Sequence, residues 1–257
     1  MFLERIQLHN FKNYHFTEIE LCEGINAFIG KNGSGKTNVL DAIHYLSMCK
    51  SYLNTIDRQN VKFQEVFFSI FGDWQHEKEK FNQQCSFKIG GKKTVKLNKK
   101  EYDRISEHIG KFPVVFISPY DIDLISEGSE TRRKWIDGIL VQLDKRYLDD
   151  LIRYHKVLEQ RNALLKNMHE HRIFDRESIE IWNISLVETG NRIFAKRKAF
   201  LEEFIPVFND FYHQLVDDNE NTQISYRSQL EDQDFSEALI ASEKKRCLHT
   251  IHKCWDS

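Results

Sequence analysis

The sequence predicts an α/β protein: a mixed-sheet lobe wrapped around a phosphate-holding loop, with a long antiparallel helical arm. Three observations predict it. The run IGKNGSGKTN, 29–38, sits between an apolar segment and a helical one. The segments around it, up to about residue 117, are short and patterned like strands. After Ser129 the texture changes to long charged stretches carrying one apolar stripe.

Taken in order, FLERIQL and FTEIEL read as two strands, and INAFI (25–29) as a buried strand running into the loop. From Thr37 to about Cys49, Val39, Leu40, Ile43, Tyr45 and Leu46 recur at helical spacing. Strand-like pieces follow at about 65–72, 80–89 and 93–98, with Gly90-Gly91 as a tight-turn signal between the last two. PVVFI (113–117) reads as another buried strand. From Glu130 to Lys166 almost nothing interrupts a helix, and Trp135, Ile139, Leu143, Tyr147, Leu151 and Leu158 line one face. After a polar gap, DRES at 175–178 marks the start of a second helix, from about Ile179 to Leu215, with a bend expected at Pro206.

The chain has 257 residues, 40% hydrophobic and 30% charged, which is a globular composition with room for a sizeable core. No apolar run reaches membrane-span length, and the charged start MFLERIQLHNF does not read as a secretory leader. Five cysteines with no CxxC pair fit a reducing cytosol. The net charge is −2, so a nucleic-acid partner has to be met by a local basic patch.

The loop carries Gly30-x4-Gly35-Lys36-Thr37 between a strand and a helix, which is the context the phosphate-loop motif requires. Its glycines let backbone N–H groups approach phosphate oxygens, and the following helix N-terminus favours the anion. The residues expected to hold the nucleotide are Gly30, Lys31, Asn32, Gly33, Ser34, Gly35, Lys36 and Thr37. Lys36 would reach the β- and γ-phosphates and the Thr37 hydroxyl would ligate Mg²⁺. The guanine reader and switch of a G-protein are absent, and no short arginine-rich lid marks a small-molecule kinase. The apolar strand ending in an acid that an ATPase uses to hold Mg²⁺ and orient water is also missing. VVFISPYD has Ser118 and Pro119 where the acid should stand, and QLVDDN (214–219) has acids after only two apolar residues.

The segments IQLHNFKNY, GKNGSGKTNVLDAI, VVFISPYDIDLISEGSETRRKWID and YHKVLEQRNALLK, in this order, resemble the bacterial RecF family of recombination mediators. That family is related to the ABC-type ATPase heads of chromosome-maintenance proteins. The resemblance runs from residue 1 to about 245. It implies an ATP-dependent homodimer and a weak DNA-stimulated ATPase. Such a protein binds single-stranded, gapped and linear double-stranded DNA with RecO and RecR, in repair and replication restart, in the cytoplasm and in the SOS response. It also places Lys12 and Asn13, in NFKNY, near the nucleotide. Candidate DNA contacts are Lys50, Lys92, Lys93, Lys96, Arg132 and Arg133, each with an ordinary alternative: solvated lysines on an edge strand, or a solvated helix face. CKSYLN (49–54) departs from the arginine-bearing segment common in relatives, leaving Lys50 as the cation there.

The family's signature motif and Walker B strand follow its helical arm, and neither is found in these 257 residues, so little or no hydrolysis is expected. The tail RCLHTIHKCWDS has three readings. Cys247, His249, His252 and Cys254 could ligate zinc, at cramped spacing. The tail could be plain and exposed. Or codons compatible with 246–257 allow a one-base shift reading DAYTQYTSVGIH, whose G-x-H resembles a segment the family has at this place. On that expectation the chain is the truncated product of a frameshifted gene. The resulting division is a phosphate-loop lobe at 1–128, the arm at 129–218, a return strand region toward the lobe at 219–245, and an aberrant tail at 246–257. Two alternatives stand: an unrelated phosphate-loop kinase using Asp121 or Asp123 as base, and an inert truncated product.

Overall fold

The computed structural model describes residues 1–171, 175–216 and 222–240. The chain divides into two compact units, one formed by 1–132 with 141–143, the other by 133–140 with the residues from 144 onward.

The first unit is a six-stranded sheet in the order β2-β1-β3-β4-β5-β6. The strands are β1 (Phe2–Phe11), β2 (Tyr14–Glu20), β3 (Phe67–His76), β4 (Glu79–Lys88), β5 (Thr94–Leu97) and β6 (Lys100–Glu101). Where a mixed sheet is expected, every pairing among the described residues is antiparallel. Alternation decides the faces. Ile6, Leu8, Phe68, Ile70, Cys85 and Val95 point inward and are buried, while Gln7, His9, Ser69, Phe71 and Gln84 look outward. Helix α1 (Lys36–Met48) covers the inner face with Val39, Ala42, Tyr45 and Leu46, each at most 1% exposed. Phe11, Tyr45 and Phe68 meet edge to face at 5.3–6.2 Å. Leu46 comes so close to β3 that a Cβ on Gly72 would stand 2.6 Å from its Cδ1. The hairpin at Gly90-Gly91 forms as expected, with Gly90 at φ 77° and Gly91 N donating to Lys88 O.

Two expected strands do not form. Residues 25–29 and 113–117 pair with no strand. Ile25 and Ile29, at 94% exposure, Val115 at 85% and Ile117 at 82% face outward, while Phe28 packs on the core and Phe116 stacks on Tyr52. A buried strand needs a neighbour to take its backbone groups, and α1 lies against the antiparallel sheet instead. Short helix α2 (Asp123–Ser126) follows a 3₁₀ turn, Pro119–Ile122, that Ser118 and Asp121 close with a capping box.

The helix expected to run unbroken from 130 to 166 is two helices, α3 (Ser129–Leu143), whose residues are shared between the units, and α4 (Lys145–His171) in the second. The break is at Asp144, whose Oδ1 accepts the N–H groups of Arg146 and Tyr147 and so caps α4. Helix α5 (Arg176–Leu215) starts at the expected cap, Asp175, and is helical through Pro206. Arg161 bonds Asn183, Arg153 pairs with Glu188 and Asp150 with Arg192, so α4 and α5 run antiparallel. Arg197 is held by Asp137 at 2.8 Å and by Tyr147 Oη at 3.1 Å. Burial alone would lower its pKa, but these partners carry it above the ordinary arginine value.

The return strand expected at 219–245 is not present in its described part. Residues 222–240 hold a 3₁₀ turn, Gln229–Glu231, and helical residues 235–240. Tyr226 stacks on Phe194, and the Phe235 ring fills the space where Gly190 of α5 has no side chain. The tail readings at 246–257, zinc ligands included, lie outside the described residues.

Candidate phosphate-binding site

The site is built where α1 begins. Gly35 is the N-cap, at φ 102°, ψ 5°, and Gly33 stands at φ 78°, both conformations that favour glycine. A Cβ on Gly33 would meet nothing within 4 Å, so that corner of the loop is open. Lys36 curls back into the loop, its Nζ donating to Gly30 O at 2.7 Å and Lys31 O at 2.8 Å. Thr37 is exposed in the first turn. Successive backbone N–H groups at a 13-residue helix's N-terminus, a lysine aimed into the loop and an adjacent hydroxyl form a donor set that suits a triphosphate with its Mg²⁺. Among the described residues no group of three His, Cys, Asp or Glu could hold a metal by itself, so an ion here would be carried largely by phosphate oxygens.

The β1–β2 turn lies directly behind the loop. Lys12 occupies the left-handed region at φ 52°, and its Nζ stands 2.5 Å from Asp41 Oδ2 on α1. Asp41 is 0% exposed and also accepts from Ser51 Oγ, Tyr52 N and Leu53 N. Three donors and a cation satisfy it, and the segment after α1 is anchored by it. Lys12 therefore lies against α1, and its ammonium is spent on Asp41. Asn13 touches the loop itself: Nδ2 donates to Ser34 O at 3.4 Å and Oδ1 accepts from Asn38 Nδ2 at 2.7 Å. Lys62 Nζ donates to Asn13 O at 3.0 Å.

At the other end of α1, Cys49 takes the left-handed conformation at φ 53° and donates its N–H to Tyr45 O. Lys93 Nζ sits 2.6 Å from Cys49 O, 2.8 Å from Asp57 and over the Tyr45 ring. Tyr45 Oη donates to the same Asp57, and burial pushes the Tyr45 hydroxyl far up. Lys93 thus fastens the lysine hairpin to the helix and does not offer its charge outward. Arg132 donates to the carbonyls of Leu124 and Glu127. Lys50 and Lys92 are exposed and Lys96 is half-buried on β5. Asp121, the kinase-type base, accepts from Tyr52 Oη and from Ser118 N, so it caps a turn and ties down Tyr52. Asp41, Asn38 and Lys62 are the functional neighbours that sequence reasoning missed. The signal for Asp41 was available, since it lies one turn beyond Thr37 on the same helix face.

Residues 2–111 match the family model described as the RecF/RecN/SMC N terminal domain. The DNA replication and repair protein RecF of Flavobacterium johnsoniae is 48% identical over 260 residues, covering 98% of this chain and 72% of that protein. The protein of the same name from Phocaeicola vulgatus is 46% identical over 229 residues, covering 89% of this chain and 61% of that one. Among solved structures, the recombination mediator protein RecF with ATP, in the RecFOR pathway, superposes with a TM-score of 0.86 at 30% identity. That match covers 96% of this chain and 69% of the other. No described helix is long and apolar enough to cross a membrane.

Proposed function

Because this chain belongs to the RecF family, we propose that it is an ATP-binding, DNA-binding component of recombinational repair and replication restart. The observation that carries the reading is the loop at 30–37, glycine-cornered, with Lys36 aimed inward at the start of a buried helix. Support for ATP comes from the superposition on a structure described as RecF with ATP. Gly30, Lys31, Asn32, Gly33, Ser34 and Gly35 would wrap the phosphates with backbone N–H groups. Lys36 would leave its two carbonyls for the β- and γ-oxygens, and Thr37 would complete the Mg²⁺ shell. ATP, when bound with Mg²⁺, would supply the triphosphate, and these loop residues would hold and orient it.

The DNA partners are single-stranded, gapped and linear double-stranded DNA, with RecO and RecR type mediators, an ATP-dependent homodimer, and a cytoplasmic role in the SOS response. Lys50, Lys92 and Lys96 are the preferred phosphate contacts, with Arg133, at the start of the arm, as a further candidate. Lys93 is committed to Asp57, while exposed Arg132 donates from one nitrogen to the carbonyls of Leu124 and Glu127 and keeps its charge. The test is capture of gapped DNA by the wild-type chain and by Lys36→Ala, with and without ATP. Capture that rises with ATP only in the wild type supports the reading. Capture indifferent to ATP in both would remove the ATP-gated part of it.

A further inference from the structure

The loop is braced from behind by residues that no phosphate contact requires. A Cβ built on Gly35 would stand 2.6 Å from Asn13 Nδ2, 2.8 Å from Asn13 Oδ1 and 2.8 Å from Tyr14 Oη. The Asn13 amide therefore fills the place of the side chain that this N-cap lacks. We infer that Asn13 is a positioning residue for the nucleotide, fixing the Gly35 corner of the loop through Ser34 and Asn38 without touching the ligand. The inference rests on the ATP reading above and adds a residue that acts through the loop.

A loop with two glycines in left-handed or near left-handed conformations has many alternatives when empty, and ordering it on binding costs affinity. Asn13 removes some of that freedom beforehand, because its carbonyl end accepts from Asn38 in the first turn of α1 and its amino end donates to Ser34 O. Both ends of the amide are thus used inside the protein. The turn that carries Asn13 is itself fixed, since Lys12 is pinned to buried Asp41 and Lys62 holds the Asn13 carbonyl. The brace therefore grips two successive turns of α1 and has little room to retreat.

A base-contacting asparagine would behave differently, and that difference is the test. The full chain is titrated with a fluorescent ATP analogue, then competed with unlabelled ATP and with inorganic tripolyphosphate, which has no base or ribose. Wild type, Asn13→Ala, Asn38→Ala, the double variant and Lys36→Ala are compared. Asn13→Ala should weaken ATP and tripolyphosphate by the same factor, about tenfold. Asn38→Ala should do the same, and the double variant should be no more than about twofold worse than either single one, because the two act as one unit. Melting temperatures should stay within about two degrees of wild type, since Asn13 is exposed.

Weakened ATP with unchanged tripolyphosphate would overturn the inference in favour of direct base or ribose contact. Losses that multiply in the double variant, wild-type binding by Asn13→Ala, or a lowered melting temperature with unchanged affinity would each overturn it too. If the folded wild type binds neither ligand, the nucleotide reading fails and this inference with it. If wild type binds, Lys36→Ala does not, and Asn13→Ala is unaffected, only this inference fails.

Discussion

Lys12 Nζ stands 2.5 Å from Asp41 Oδ2, and this one contact joins the β1–β2 turn to the second turn of the loop helix. Asp41 is fully buried and Lys12 nearly so, which makes the pair costly to break from one side. Asp41→Asn should therefore lower the lobe's stability by about 3–5 kcal/mol, by the usual cost of leaving one buried charge unpaired. Lys12→Met should cost stability too and, by loosening the turn that carries Asn13, weaken nucleotide binding by no more than Asn13→Ala does. Urea unfolding and analogue binding on the same samples check both. A Lys12→Met protein that folds normally but loses the nucleotide would contradict the assignment.

The lysine hairpin should split by role. Lys93 is committed to Asp57 and Cys49 O, whereas Lys92 is exposed and Lys96 lies on β5. Lys92→Ala and Lys96→Ala should weaken DNA binding evenly across sequences and shrink the salt slope by about one each. Lys93→Ala should instead destabilise the lobe, with any DNA effect following from that. Equal salt-slope losses for all three, at unchanged stability, would return Lys93 to the DNA surface.

Acid should weaken the lobe through two buried histidines. Burial holds His44 and His108 below the ordinary histidine range. His108 Nε2 lies 2.8 Å from Leu46 O, and its Nδ1 is buried without a hydrogen-bond partner. The unfolded chain binds these protons more readily than the folded one, so the histidines' contribution to stability is present above about pH 6.5. It is lost as pH falls from there toward the depressed folded values. Urea midpoints should decline between pH 8 and 5.5, and His108→Gln should flatten part of that decline. A midpoint that rises on acidification would contradict the buried, neutral state.

Phe235 should act as the clasp of the 222–240 segment on α5, because only glycine at 190 leaves its ring room. Gly190→Ala should displace the ring and expose the segment to protease, while the α4–α5 ion pairs persist. Protection equal to wild type would show that the segment is held elsewhere.

Legibility in the sequence followed how local each signal was. The phosphate loop was readable because glycine, lysine and threonine at fixed offsets have few other uses, and its strand-like neighbourhood narrowed them further. The Gly90-Gly91 hairpin and the Asp175 cap were local too. The break at Asp144 was missed because the apolar stripe continues across it, although an aspartate before a helical run is an N-cap signal. INAFI and PVVFI have the composition of buried strands, but burial depends on neighbours that composition cannot name. The charges of Lys12 and Lys93 looked available in one dimension; partners 29 and 36 residues away in sequence claim them.

The most direct measurement is isothermal titration of ATP with Mg²⁺ into the folded wild-type chain and into Lys36→Ala. Saturable binding of one ATP per chain is expected in the wild type, and its loss in the variant. Folded wild-type protein that takes up no ATP, or a Lys36→Ala variant that binds it equally well, would contradict the assignment of the 30–37 loop to nucleotide.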